Sequence, residues 1–301
     1  MWKLALHSVS YAGVWPGQAA LSLEEFIEHA ADLGYGGVML MAKRGHASLL
    51  DLGKERRGAL RERLQRRGLA LAGIAGYTDF TAGAERPDIP LLEMQVLYVQ
   101  ECSRLAQDLG GSVVRIFTGY ERPELSTGQS WARCVQAVKD CARRAADFGV
   151  TVAVQNHHDV AVHYEALRDF LSEVDEPNVG AGYDAWAPTL QGLTSEQLTL
   201  AMRTLGPSIV QTIVADYVRR PRFQYLPGLT NYRAEPDEVR AVPVGEGIID
   251  YATFFTALRD TGFNGFVTYE MCSPLRGGGS LDNLDCYARR FIDWMQGFPS
   301  V

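Results

Sequence analysis

Short unbroken apolar runs punctuate the chain at 3–9, 36–42, 69–76, 112–119, 150–157, 178–185, 208–215 and 265–271. Runs of this kind predict strands buried on both faces, as in parallel sheets. Between them, apolar residues recur at three- and four-residue spacing, as in LEEFIEHAADLG, LYVQECSRLAQDLG, CVQAVKDCARRAADFG and YATFFTALRDTG, which predicts amphipathic helices. Several of these end in Gly, the usual residue just past a helix. LSLEE and LTSEQ place Ser or Thr ahead of a helix whose first turn is acidic. Eight strands alternating with helices predict a (β/α)8 barrel, a single domain over residues 1–301. A doubly wound sheet is the competitor. It would carry a glycine-rich phosphate loop after its first strand, and HSVSYAGVWPGQ has none.

Two segments stand outside this rhythm. Residues 216–247, after strand seven, show no periodicity and read as a long irregular loop, suited to a lid or a subunit contact. RGGGS at 276–280 follows strand eight, where barrels often bind phosphate; a flexible hinge is the equal alternative.

Composition narrows the class. A hydrophobic content of 47% supplies a large core, and a net charge of −7 disfavours a broad nucleic-acid or anionic-membrane surface. The arginine-rich KERRGALRERLQRRG reads as a solvated helix face rather than a phosphate patch. Five cysteines without a CxxC predict free, mostly buried thiols and a reducing cytoplasm. MWKLALHSVSY lacks the apolar core of a signal peptide, and no run is long enough to span a bilayer.

Barrel chemistry gathers where strands end. Five of the six histidines lie at or past such ends: His7, His46, His157, His158 and His163. His29 falls on a helix, with a structural or exposed role. Strand alternation points Gln155 and His157 one way, Asn156 and His158 the other. Asp184 ends a row with Gly180 and Gly182, Gln211 shares a face with Ile213, and Glu270 with Thr268. Carboxylates among apolar strand residues need a cation, a proton or an arginine. A divalent ion such as Mn2+ or Mg2+ would suit Asp184 and Glu270 joined by imidazole and amide oxygen. The alternative pairs them with Arg115 or Lys43 in a buried network. Trp15, Trp186 and Tyr269 could pack on a sugar ring.

VTVAVQNHH, NVGAGYDAW, SIVQTIVADY, GFVTYEM and above all RAVPVGEGIIDY make the chain resemble the xylose isomerase-like TIM-barrel superfamily, within it the sugar phosphate isomerase/epimerase proteins. The resemblance covers essentially the whole chain. It implies a carbohydrate substrate, a divalent metal (Mn2+ first, with Mg2+, Co2+ or Zn2+ as options) and metal ligands at Gln155, Asp184, Gln211 and Glu270. Ketose 3-epimerases of the superfamily carry Glu, Asp, His and Glu there. Gln155 and Gln211 depart from that pattern, so one of the two paired glutamates is missing. The resemblance makes Glu270 and His157, with His158, the catalytic candidates. His7, His46, Lys43, Arg115, Trp186 and Arg240 are the substrate-binding ones. It implies an isomerase or epimerase working by metal-assisted proton abstraction next to a carbonyl. The alternatives are a lyase of the inosose dehydratase or C-glycoside deglycosidase kind, and a non-catalytic sugar-binding barrel. Apurinic endonucleases of the superfamily need more ligands than this pattern supplies. Homo-oligomers are common among such barrels.

Overall fold

All eight apolar runs become strands of one closed barrel in the computed structural model, which describes residues 2–298. The strands are β1 (Lys3–His7), β2 (Gly37–Met41), β3 (Ala70–Ala75), β4 (Val113–Ile116), β5 (Thr151–Gln155), β6 (Val179–Gly182) and β7 (Ile209–Val214). After two strands outside the barrel comes the eighth, β10 (Phe266–Tyr269). They are parallel and close in the order β1-β10-β7-β6-β5-β4-β3-β2. Helices α1 (Leu23–Asp32), α2 (Lys54–Arg66), α3 (Leu91–Asp108), α4 (Thr127–Ala146) and α5 (Tyr164–Val174) surround them. The short α6 (Trp186–Gln191) and then α7 (Ser195–Leu205), α8 (Tyr251–Asp260) and α9 (Leu281–Met295) complete the ring.

The helix starts follow the local chemistry. Ser22, Ser126 and Thr194 each accept a hydrogen bond from the backbone three residues on, and Glu25, Gln129 and Gln197 reciprocate. Helix α2 buries only Leu60 and Leu64. Its arginines pair with neighbouring helices, Arg56 with Glu24, Arg63 with Glu28 and Arg57 with Asp108. Most of the core lies between strands and helices. Inside the barrel Met39, Ala75 and Ile213 form a small apolar floor under Tyr77.

The segment after β7 is not an irregular loop. Asp216–Leu226 (β8) and Asn231–Val242 (β9) pair as one antiparallel hairpin from Asp216↔Val242 to Leu226↔Asn231. Cross-strand partners explain it: Arg220 lies opposite Glu238, Arg222 opposite Glu235, and the Tyr225 and Tyr232 rings sit 5.2 Å apart. Both faces are solvated, so no apolar alternation marks it in the sequence. Its base is fixed by the buried Asp216, whose carboxylate accepts from the backbone N–H of Tyr217, Gly245 and Gly247, each at 2.9 Å. A Cβ at Gly247 would fall 1.8 Å from Asp216 Oδ1, so only glycine allows the approach.

RGGGS is a pinned turn rather than a hinge. Gly277 and Gly278 hold φ of +92° and +89°, and Asn283 Nδ2 donates to the carbonyls of Arg276 and Gly278. No helix among the described residues is long and apolar enough to cross a membrane.

Asp216→Ala leaves three backbone donors without their acceptor and is expected to lower the unfolding free energy by about 3 kcal/mol. Replacing Arg219–Val239 by a short Gly-Ser link removes mainly exposed residues and is expected to stay within about 1 kcal/mol. Urea denaturation of both variants checks the contrast.

Candidate active site

The strand ends enclose one cavity of about 200 Å3, lined by Val9, Val14, Lys43, Tyr77, Arg115, Phe117, Gln155, His157, Glu270 and Cys272. Each polar lining residue comes from a strand or from the first residues beyond it. Arg115 is on β4, Gln155 ends β5, and Glu270 follows β10 directly.

Arg115 is 2% exposed. Its Nη1 donates to the Gly76 carbonyl at 2.9 Å. The guanidinium lies 4.2 Å from the Phe117 ring centre and 5.2 Å from that of Tyr77, and Nε has no partner. Its Nη2 lies 3.5 Å from His7 Nε2. His7 Nδ1 accepts from the Val9 N–H, so the neutral ring carries its proton on Nε2, and two donors face each other. Burial first, and Arg115 second, hold His7 well below the usual imidazole range. Lys43 reaches in from the rim with Nζ 3.9 Å over the Tyr77 ring. Its ammonium is lowered by burial and then by Arg115.

Glu270 is 9% exposed and accepts a weak hydrogen bond from the Cys272 thiol at 3.4 Å. Burial raises its pKa, with Arg115 and the Cys272 contact opposing. Cys272 is exposed on its outer side, and desolvation on its inner side together with Glu270 pushes it well up, so it stays a thiol. His157 and His158 face each other at 2.9 Å between Nδ1 atoms, so they hold complementary tautomers. Both are lowered to about 4: His157, exposed on its outer side, by desolvation against the Phe117 and Trp186 rings, then by His158 and Arg115; His158 by burial, with Asp79 opposing. Both are neutral near pH 7. His157 sits edge-on to Trp186 at 5.2 Å.

Asp184 is fully buried behind Gln155. One oxygen accepts from the Ile213 N–H at 2.6 Å, the other from Gln155 Nε2. Burial raises it to about 7, the Ile213 bond opposing and Glu270 adding to the rise. Asn156 clamps its backbone, accepting from the Asp184 N–H at 2.9 Å and donating to its carbonyl at 3.1 Å. Gln155 Oε1 and both amide atoms of Gln211 are buried without partners. Gly182 makes room for this layer, since a Cβ there would lie 2.9 Å from Gln211 Oε1.

The structure therefore brings Lys43, Arg115, Gln155, His157 and Glu270 to one cavity. Asp184 and Gln211 form a layer behind it, and His7 backs Arg115. His158 is stacked between Phe117 and Tyr120, with centroids at 4.3 and 4.1 Å, outside the lining. His46 lies elsewhere, with Nε2 bonded to the Leu21 carbonyl at 3.0 Å and its ring stacked on Phe26. Arg240 is in the hairpin opposite Val218, and Trp186 reaches the cavity only through His157. His29 is structural, 2.6 Å from Asp285 Oδ1. Tyr77, Phe117, Cys272 and Asn156 were not among the sequence candidates, although all lie just past strand ends.

The donor set implied for a metal does not fit a tightly held divalent ion. Asp184 has both oxygens engaged by N–H donors, the other two positions are neutral amides, and Arg115 already places a fixed positive charge beside Glu270. Among the described residues no three His, Cys, Asp or Glu side chains gather closely enough to hold a metal.

The family model described as a xylose isomerase-like TIM barrel matches residues 27–296. The chain belongs to that family. No curated protein sequence matches it. Among solved structures it is similar to D-psicose 3-epimerase from Clostridium cellulolyticum, at 16% identity and a TM-score of 0.75, covering 99% of this chain and 100% of that one. It is similar to L-ribulose 3-epimerase at 16% identity and a TM-score of 0.72, over 98% and 94%. A probable 3-DHS dehydratase from Bacillus anthracis gives 18% identity and 0.72, over 96% and 98%. At these identities the likeness to each structure is one of fold. This member of the xylose isomerase-like family keeps acidic residues at the ends of β6 and β10 and amides on β5 and β7.

Asp184 gives the family member a pH signature. Its folded pKa lies above its ordinary value of 3.8, so its contribution to stability is full below about pH 4 and is lost as pH rises through about 7. Asn can replace both hydrogen bonds if Gln155 turns its amide. Relative to Asp184→Asn, the native protein is expected to lose stability from about pH 5 to about pH 7, by at most about 1.4 kcal/mol per pH unit. Denaturation curves of the two proteins at matched pH check it; parallel pH profiles would contradict it. Taking the difference removes the opposite trend from His157 and His158, which lose stability on acidification below about pH 6.5.

Proposed function

We propose that this protein is an isomerase of a sugar-type hydroxy-carbonyl compound, moving a proton between adjacent carbons with Glu270 as the base. The observation that carries the reading is a single buried carboxylate at the cavity wall, facing arginine and lysine charges and a neutral imidazole. A carboxyl raised by burial is a better base than a solvated one. Glu270 would take the proton next to the carbonyl, giving an enediol, and return it to the former carbonyl carbon. The hydroxyl proton would cross to the carbonyl oxygen through neutral His157, which can polarise a carbonyl by hydrogen bonding without being charged. The unpartnered Gln155 Oε1 at the cavity wall suits a substrate hydroxyl.

One base suffices when the proton leaves and returns on one face. A two-base 3-epimerisation asks for a second proton carrier opposite Glu270, and Gln155 does not transfer protons near neutral pH. Dehydration is the second reading. The presence of His157 on the same cavity favours it, but a histidine with a pKa of about 4 is a poor source of a proton for a leaving hydroxyl. A barrel that only binds its ligand would have no use for the base.

Candidate keto-sugars incubated with the protein in D2O test this. The expected product is an isomer carrying deuterium at the exchanged carbon, with no loss of water. Glu270→Gln is expected to reduce kcat/KM by about 1,000-fold, and His157→Gln by about 10- to 100-fold. Retention of exchange in Glu270→Gln within about ten-fold would overturn the assignment of the base.

A further inference from the structure

We infer that the ligand of this cavity carries a carboxylate received by Arg115 and Lys43, which makes the substrate a keto acid of the sugar-acid type rather than a neutral ketose. The inference rests on the cavity being the site proposed above, and adds the charge of what enters it.

Charge comes first. Arg115 and Lys43 line the cavity, against one carboxylate, Glu270. Many arginines elsewhere pair with acids, as Arg122 does with Asp79 and Arg276 with Glu246, while Arg133 and Arg219 use backbone carbonyls. Among the described residues Arg115 has a carbonyl, two aromatic faces, the Tyr77 hydroxyl within reach and a protonated ring nitrogen, and no carboxylate in contact.

Spare donors come second. Of the five N–H bonds of the guanidinium, one is used on Gly76, Nε–H has no acceptor, and Nη2 faces another donor. A buried charged group short of acceptors is costly, and an anion bound beside it offsets that cost. Lys43 on the rim has its ammonium over Tyr77, which leaves it free to swing onto a second oxygen.

The lining chooses among anions. It contains no glycine and no α-helix N-terminus, the backbone features that cradle phosphate, and the volume of about 200 Å3 is small. A planar carboxylate matches the guanidinium and leaves Gln155 and Glu270 for the hydroxyl and C–H groups further along the molecule.

Binding to the full-length Glu270→Gln protein, which should hold substrate without turning it over, tests the inference. The probes are 2-keto-D-gluconate, D-fructose, D-fructose 6-phosphate and inorganic phosphate, read by calorimetry. The keto acid is expected to bind at least about ten-fold tighter than fructose. Adding Arg115→Gln should abolish that preference. Should that variant not fold, Lys43→Gln at the exposed rim carries the test, lowering keto-acid affinity about ten-fold and leaving fructose unchanged. Equal affinity for acid and ketose, an unaltered preference in Lys43→Gln, or tighter binding of either phosphate would overturn the inference. Tight keto-acid binding without deuterium exchange in the native protein would support it and remove the isomerase reading. Exchange into neutral ketoses with no preference for the acid would do the reverse.

Discussion

A guanidinium buried at the mouth of a barrel sets the terms for everything around it. Arg115 cannot give up its proton, so its surroundings must accommodate a permanent charge. The protein does so with two aromatic faces, one carbonyl and a carboxylate nearby. The same charge helps keep His7 and His157 neutral and opposes the upward shift that burial imposes on Glu270. A buried carboxylate, a neutral imidazole and a fixed cation then meet around one residue on β4. Proton abstraction next to a carbonyl needs positive charge near the developing enolate oxygen, and that requirement is electrostatic before it is metallic.

The second layer shows why the amides matter. A carboxylate on β5 beside Asp184 would put two anions in a fully buried space. Gln155 instead donates to Asp184, and Ile213 N–H takes the other oxygen. The result is a closed hydrogen-bonded unit in which Asp184 supports Gln155. Gln211, tucked under Gly182, adds polar atoms that the protein itself does not satisfy. Unsatisfied buried amides are rare in folded proteins and mark places where water or ligand completes the pairing.

Much of this was legible in the sequence, for identifiable reasons. Parallel strands buried on both faces leave unbroken apolar runs, so all eight barrel strands could be read, with ends off by a few residues. Strand alternation placed Gln155 and His157 on one side and His158 on the other, and both of the first pair line the cavity. The β8–β9 hairpin was invisible because solvent covers both faces, and its stabilising pairs, such as Arg220 with Glu238, lie far apart in the chain. His46 and Arg240 lie outside the cavity lining for a related reason: proximity to a strand end says nothing about how the following chain turns. Tyr77 and Phe117 sit at strand ends as the histidines do. Nothing in the strand pattern separates the aromatic faces that hold Arg115 from ordinary core residues.

Everything above turns on Arg115, rather than a divalent ion, being the resident cation of this site. Titration of the metal-stripped protein with Mn2+, followed by the electron paramagnetic resonance of the free ion, measures this directly. With Arg115 as the cation, no stoichiometric binding tighter than millimolar is expected, and no change on Asp184→Asn. One Mn2+ per chain bound at micromolar affinity, and lost on Asp184→Asn or Glu270→Gln, would contradict it.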